Sequence, residues 1–282
     1  GLAPCTYNVQ IRDDVNTTCI LVLNNTLILT GPAVMNATVT KTDISCFGAN
    51  NGSIIISGAT GGYGTYQYTI NGGTTWLGSG NFTNLIPGSY DVRIRDAVNT
   101  SCAITLNPAL IVTEPPVLTA TVNRTNITCF GSTDGTITIS GAAGGHGTYE
   151  YSINGGGSWQ VSGNYTALTP GTYNVQIRDA AFPLCYIILN NALVLTQPSV
   201  LTATLGSTAV TCNGSDDGTI SITGASGGYG TYQYTINGGT NWVASGLFIN
   251  VAPGTYDVRI RDAVNTACVI ILNAGLQITE PA

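Results

Sequence analysis

The sequence contains very little charge. Only 8% of its 282 residues are Asp, Glu, Lys or Arg, and Lys41 is the single lysine. A net charge of −6 argues against nucleic acid as a partner, because nucleic acid binding needs a basic patch or stripe. It also argues against a polybasic contact with anionic lipid. One lysine is too few for Lys–Asn crosslinks to be a repeated feature.

Long apolar segments and metal-binding motifs are missing as well. No apolar run approaches the ~20 residues that span a bilayer, so we expect no membrane insertion. His146 is the only histidine, which excludes a histidine-dependent catalytic set in every repeat. Zinc would need clustered ligands such as C-x-x-C, and none occurs. We therefore expect neither an enzyme nor a cofactor.

What the chain does have is a repeat with a period of 83 residues. The segment at 87–96, PGSYDVRIRD, returns in near-copies at 4–13, 170–179 and 253–262. A fixed period of this length indicates a tandem array of small domains. The predicted domains are the C-terminal part of a truncated repeat, three full repeats and the start of another: 1–31, 32–114, 115–197, 198–280 and 281–282.

The partial first segment has two explanations. The chain is either a window from a longer array, or its segment 1–31 completes a domain of another subunit by strand addition.

Each repeat is predicted to contain seven short strands. Tyr66, Tyr68 and Ile70 alternate with polar residues at the period of a half-buried strand, and no helical period is found. Asn51-Gly52 is expected to supply the positive φ angles of a tight turn, and a fourth strand is placed at Trp76. The predicted fold class is all-β: tandem immunoglobulin-like antiparallel β-sandwich domains of 83 residues, arranged end to end.

Seven of the eight cysteines form two series with the repeat period: Cys46, Cys129 and Cys212, and Cys19, Cys102, Cys185 and Cys268. Cysteines in small repeated β-rich domains indicate disulfides and an oxidising compartment. Cys5 stands outside both series, and its role is left open.

Strand direction decides between two pairings. If the strands alternate, the two series lie at opposite ends of a repeat, about 40 Å apart along a 12-residue strand. A disulfide needs Cα atoms within about 7 Å. We therefore favour links between consecutive repeats, Cys46–Cys185 and Cys129–Cys268. The alternative is a link inside each repeat: Cys46–Cys102, Cys129–Cys185 and Cys212–Cys268.

Two sets of side chains are candidate ligand sites, because each occurs once per repeat. Asp96, Asp179 and Asp262 follow an arginine at the end of a strand, where an aspartate most often accepts backbone N–H groups; calcium is the other interpretation. Trp76, Trp159 and Trp242 are expected in the core, with a row of sugar-stacking indoles as the alternative. The pair Asp216-Asp217 becomes Asn50-Asn51 in the first repeat, which favours a turn over a calcium site.

The ordered set C-x-G-x-x-x-G, G-G-x-G-x-Y-x-Y, P-G-x-Y-x-V-x-x-R-D, a later Cys and a closing Glu/Gln-Pro resembles the SprB-type repeat. That family occurs in large cell-surface, gliding-motility-type adhesins of Bacteroidota. The resemblance implies an extracellular, non-catalytic filament or stalk, exported by type IX secretion. Expected partners are neighbouring repeats of the same long chain, identical chains in a fibre, or surface glycans. The alternative function is a carbohydrate- or calcium-binding module repeated for avidity.

Overall fold

A computed structural model describes all residues, Gly1–Ala282, and contains 20 β-strands. No helix is long and apolar enough to cross a membrane. The chain divides into two compact units, Gly1–Pro116 and Val117–Ala282, with the division two residues from the expected start of the second repeat. The fold is all-β with immunoglobulin-like domains, as predicted.

The first unit holds the partial repeat and the first full repeat. Strands β1 and β2 form a two-stranded antiparallel sheet, and the full repeat contributes six strands in two three-stranded sheets. The strands are β1 Cys5–Arg12, β2 Ile20–Leu29, β3 Asn36–Thr42, β4 Gly52–Thr60, β5 Tyr66–Thr69, β6 Asn81–Leu85, β7 Gly88–Asp96 and β8 Ala103–Val112.

The two sheets of the first full repeat have the orders β3-β4-β6 and β5-β7-β8. Alternate residues of the central strands point inward, so Ile54 and Ile56 of β4 are packed in one cluster with Val92 of β7. These side chains are at most 4% exposed. The core is therefore a single layer of aliphatic side chains between two antiparallel sheets.

The second unit repeats this plan twice. Its sheets have the orders β9-β10-β12, β11-β13-β14, β15-β16-β18 and β17-β19-β20. The strands are β9 Thr119–Thr125, β10 Gly135–Ala143, β11 Tyr149–Ser152, β12 Asn164–Leu168, β13 Gly171–Asp179, β14 Tyr186–Leu195, β15 Ser199–Thr208, β16 Gly218–Gly228, β17 Tyr232–Thr235, β18 Leu247–Val251, β19 Gly254–Asp262 and β20 Val269–Ile278.

A tyrosine fixes the corner before the central strand of the second sheet in every repeat. The Tyr90 hydroxyl donates to the Ile86 carbonyl at 2.8 Å, and Tyr173 and Tyr256 make the same bond to residues four positions earlier. Tyr7 keeps the bond in the partial repeat. This tyrosine corner is a hallmark of immunoglobulin-like sandwiches. Its sequence signal is the tyrosine three residues after the proline of P-G-x-Y.

The prediction of seven strands is wrong by one. No strand forms at Trp76; Leu77 only makes an isolated bridge to Tyr68. Thr69 and Asn71 account for the difference, because their side chains bond to backbone and side-chain groups of residues 71–75. These local bonds replace the cross-strand ladder that a seventh strand would need.

The predicted tight turn at Asn51-Gly52 is also wrong in its details. Gly52 begins β4 without a positive φ, whereas Gly48 and Asn50 have φ values of 72° and 50°. Gly52 is required for space, since a Cβ there would lie 2.8 Å from the Val112 side chain. The glycine therefore marks close packing at the start of a strand.

The third repeat offers a matched pair of isoleucines for testing the core. Ile220 is fully buried and Ile271 is 53% exposed. Ile220→Ala should destabilise this repeat by about 2–5 kcal/mol through lost burial and a cavity. Ile271→Ala should stay within about 0.5 kcal/mol of the parent. Hydrogen exchange of peptides from β16 and β19 measures both, and equal effects would contradict the assigned core.

Candidate functional site

The candidate aspartates lie fully buried at the end of β7, β13 and β19. Asp96 accepts the backbone N–H groups of Val98 and Asn99 at 2.8 and 2.9 Å, and that of Tyr63 from the glycine-rich loop. Asp179 and Asp262 accept the equivalent bonds in their repeats. Each carboxylate therefore ties the loop after the first sheet's central strand to the loop after its own strand.

The groups around these aspartates are N–H donors, which stabilise the carboxylate anion and cannot coordinate a metal cation. Three N–H donors point at the Asp96 carboxylate, whereas calcium requires several oxygen ligands. A Cβ on Gly62 would lie 2.7 Å from Asp96 Oδ2, so the loop backbone approaches the carboxylate as closely as glycine permits. The calcium interpretation of Asp96, Asp179 and Asp262 is therefore replaced by a structural one.

Asp96 and Asp262 show the electrostatic effect of these bonds. The N–H groups of Asn99 and Tyr63 hold the pKa of Asp96 below its ordinary value. Burial alone would raise the pKa of Asp262, but the N–H donors of Tyr229, Asn265 and Val264 outweigh it, and the pKa is lowered. Both carboxylates are therefore anionic at neutral pH.

The acidic turn of the third repeat is likewise structural. Asp217 accepts hydrogen bonds from the Thr211 backbone N–H at 2.9 Å and from its hydroxyl at 2.5 Å. Asn51 accepts the N–H of Ser45 in the first repeat, so an amide serves as well as a carboxylate. No cluster of three or more His, Cys, Asp or Glu side chains suited to a metal is present.

The tryptophans lie on the outer face of the second sheet, so the expectation that they are core residues is wrong. Arg95, whose side chain points away from the core, places its guanidinium 4.5 Å from the Trp76 ring centre. Arg178 and Arg261 stack on Trp159 and Trp242 at 4.4 Å. The glycine after the β5 turn packs along the indole edge in each case: Gly73, Gly156 and Gly239. The arginine occupies one indole face and leaves that face closed to a sugar ring.

A cleft of about 300 Å³ adjoins Trp159 in the second repeat, lined in part by Gln176, Arg178 and Tyr186. Its lining is not repeated. Arg93 and Arg259 take the place of Gln176, and Ala103 and Val269 take the place of Tyr186. The lining of this cleft is therefore specific to the second of the three full repeats.

The cysteines form the one covalent feature that joins two repeats. Cys129, after β9 in the second repeat, is bonded to Cys268, before β20 in the third, with Cα atoms 5.3 Å apart. Cys46 and Cys185 are also disulfide-bonded. Cys5, Cys19, Cys102 and Cys212 are free thiols.

These states overturn the pairing inside each repeat. Free Cys102 excludes Cys46–Cys102, free Cys212 excludes Cys212–Cys268, and the bond of Cys129 to Cys268 excludes Cys129–Cys185. The reason is the strand direction: β9 carries Cys129 to the end of the second repeat that meets the third. Cys46–Cys185 stays a prediction.

The disulfide lies at a junction between the second and third repeats that also contains a hydrogen bond and apolar side chains. The Tyr229 hydroxyl donates to the Thr128 carbonyl at 3.2 Å. Beside the disulfide lies a pocket of about 360 Å³, lined in part by Phe130, Val200 and Leu201. The junction thus combines one covalent bond, one hydrogen bond and apolar contact.

The comparisons with known proteins agree with this repeat organisation. A sequence model of the SprB repeat matches residues 38–75, 121–158 and 205–241. Each full repeat thus contains one stretch that is similar to the SprB repeat. SprB repeats are typical of cell-surface proteins, and the disulfides fit an extracellular location. The chain is therefore a repeat array of the kind found in cell-surface proteins.

No curated protein matches the chain. Among solved structures, the chain is similar to the three N-terminal domains of the bacteriophage RB49 Highly Immunogenic Outer Capsid protein, Hoc. The sequence identity is 10%, the TM-score is 0.36, and the alignment covers 88% of this chain and 99% of that one.

The structure also gives the closing Glu/Gln-Pro of each SprB repeat a role that the sequence reasoning missed. Gly131 donates its N–H to Gln197 Oε1 at 2.8 Å, and Gly48 and Gly214 donate to Glu114 and Glu280. The glycine of C-x-G and the linker residue thus fix the chain where it leaves the repeat. The constant sequence spacing between this glycine and the Glu or Gln could have indicated that the two residues are in contact.

Acid should weaken the repeats through their buried aspartates. Because the pKa of Asp262 is lowered on folding, its contribution is complete above the unfolded value of about 3.9 and is lost as pH falls further. Asp262→Asn should lower stability at pH 7 and flatten its dependence on pH below about 4. Urea unfolding of the third repeat from pH 2 to 7 measures this.

The exposed Asp216, in the same repeat, is the control for this test. Asp216→Asn makes the same change of charge without removing buried hydrogen bonds, so stability at pH 7 should change little. An unaltered acid profile in Asp262→Asn would contradict the assigned role of the buried carboxylate.

Proposed function

We propose that this chain is part of an extracellular filament or adhesin stalk whose successive repeats are joined by disulfides. The observation that carries the proposal is the Cys129–Cys268 bond between two consecutive repeats. A binding module needs no covalent link to its neighbour, whereas a stalk under tension gains stiffness and resistance to extension from one.

The composition supports a surface role of this type. Hydroxyl and amide side chains, rather than ions, keep an array with 8% charged residues in solution. Three features recur at equivalent positions of all three full repeats: the buried aspartate, the tyrosine corner and the arginine stacked on tryptophan. All three stabilise the domain. These features support a non-catalytic protein, and the similarity to SprB repeats supports export by type IX secretion and display at the surface of a gliding-type bacterium.

The disulfide has a direct mechanical consequence. Its two cysteines are 139 residues apart in the sequence, so a force that pulls on the chain ends is carried by the disulfide and does not extend the residues between them. At ~3.6 Å per extended residue, the disulfide prevents the extension of about 500 Å of chain. By the chain-entropy estimate the same closure stabilises the folded state by about 5 kcal/mol.

Single-molecule force extension tests the stalk proposal. The chain with Cys46→Ser and Cys185→Ser leaves Cys129–Cys268 as the only shielding bond. Adding a reductant should lengthen the fully unfolded chain by about 500 Å. The same chain with Cys129→Ser and Cys268→Ser should show no change on reduction. An equal length with and without reductant in the first chain would overturn the proposal.

Glycan binding is the second candidate function, and one observation favours it: the cleft beside Trp159. A glycan array probed with the parent chain and with Trp159→Ala tests this role. Trp76→Ala is the matched control, because it removes the equivalent indole from a repeat without Tyr186. Binding lost only in Trp159→Ala would support the cleft. Binding that neither substitution changes would exclude it.

A further inference from the structure

The outer face of the second sheet has a different chemistry in the second repeat from that in the other two. The first and third repeats carry an ion pair on the central strand of this sheet: Asp91–Arg93 and Asp257–Arg259. The second repeat has Asn174 and Gln176 at the equivalent positions. An amide pair thus replaces an ion pair beside the cleft that adjoins Trp159.

Gln176 brings an unused hydrogen-bond acceptor to this cleft. Its Nε2 donates to Asn174 Oδ1 at 3.2 Å, whereas its Oε1 accepts no hydrogen bond within the chain. The residue is only 6% exposed, and it lines the cleft. An almost buried carbonyl oxygen is costly to leave without a donor. A ligand that donates a hydrogen bond to Oε1 would remove this cost.

Arg178 provides hydrogen-bond donors at the same cleft. It lies in one cross-strand row with Glu150 and Tyr186. Its Nε donates to Glu150 Oε2 at 2.7 Å, and the guanidinium stacks 4.4 Å from the Trp159 ring centre. No hydrogen bond within the chain uses Nη1. The guanidinium is therefore held in place from two sides and still has a free donor.

The charge of this face also distinguishes the second repeat. Arg178 is neutralised by Glu150, with side chains that are 23% and 25% exposed. The first and third repeats have Gln67 and Gln233 in place of Glu150, and a second arginine gives each of these faces a net positive charge. An anionic ligand at the cleft would be repelled by Glu150, and a cationic ligand by Arg178. The cleft therefore favours a neutral ligand.

Tyr186 adds an exposed aromatic ring to these polar groups. It is 55% exposed and lines the cleft together with Pro183. The other repeats have Ala103 and Val269 at this position, so neither has a ring there. An apolar platform with a few polar groups at its edge suits a ligand that has one C–H face and a rim of hydroxyl groups. A pyranose ring has this construction.

We propose that the cleft binds one neutral pyranose residue of a polysaccharide. The C–H face of the sugar packs on Tyr186, one hydroxyl donates to Gln176 Oε1, and another accepts from Arg178 Nη1. The inference rests on the second candidate function, glycan binding, and specifies the ligand and the contacts. All residues that line the cleft belong to the second repeat, which has a full repeat on each side in the sequence.

Nuclear magnetic resonance titration of the full chain tests the ligand class. The probes are methyl β-D-glucopyranoside, methyl β-D-galactopyranoside and, as the anionic comparison, methyl β-D-glucuronide. We expect saturable shifts of the Gln176 side-chain amide and the Trp159 indole N–H with at least one of the two neutral glycosides. The glucuronide should bind at least about fivefold more weakly, because its carboxylate is repelled by Glu150.

Variants that copy the other repeats test the contacts. Tyr186→Val installs the residue of the third repeat and should weaken binding about tenfold, whereas Tyr186→Phe keeps the ring and should bind within about twofold of the parent. Asn174→Asp with Gln176→Arg installs the ion pair and should abolish the shifts, because the acceptor is lost. The reverse exchange in the third repeat, Asp257→Asn with Arg259→Gln, is the matched control and should leave binding unchanged.

Three results would overturn the inference: no saturable shift with either neutral glycoside, a glucuronide that binds as tightly as they do, or equal binding by Tyr186→Val and Tyr186→Phe. The glycan array separates this failure from failure of the candidate function. Glycan binding on the array that survives Tyr186→Val would place the glycan site elsewhere and remove only the cleft. Absence of binding in both experiments would remove both, while the stalk proposal depends on its own force measurement.

Discussion

The buried aspartate at the end of the central strand of the second sheet organises each full repeat. The Asp262 carboxylate holds the N–H of Tyr229 and two N–H groups of the following turn, while its own N–H donates to the Cys268 carbonyl. Asp262 therefore positions both residues that the third repeat contributes to the junction: Tyr229 through its side chain and Cys268 through its backbone N–H. An unsatisfied carboxylate or unsatisfied N–H groups in this place would be costly, so the loops have little freedom to move.

The rest of the domain consists of a small aliphatic core and an outer face with stacked arginine–tryptophan pairs. A thin aliphatic core, with Ile54, Val92 and Ile94 fully buried in the first repeat, leaves little room for functional pockets. On the outer face, arginines stack on tryptophans, as Arg95 does on Trp76, so that the guanidinium covers one face of the apolar indole ring. In such a small domain, a disulfide to the next repeat adds to the stability that the core supplies.

The junction explains why the cysteines are phased with the repeat but not paired within it. Strand β9 places Cys129 at the end of the second repeat that meets the third, so Cys129 bonds to Cys268 of the third repeat and not to Cys185 of its own repeat. The linker supports this arrangement, because Gln197 binds the Gly131 N–H next to Cys129 and the next repeat begins at once. The disulfide and the linker contact therefore both hold the end of the second repeat that meets the third.

The sequence by itself determined the repeat, six of the seven strands expected in each full repeat and the phasing of the cysteines, because these depend on period and on alternation along one strand. Alternation even places Asp96 on the same side as Val92 and Ile94, which is the buried side. Only the tertiary structure decided which donors meet that carboxylate and that Trp76 lies outside the core. Those contacts join residues such as Tyr63 and Asp96 that are 33 positions apart, and no local pattern encodes a contact across two loops.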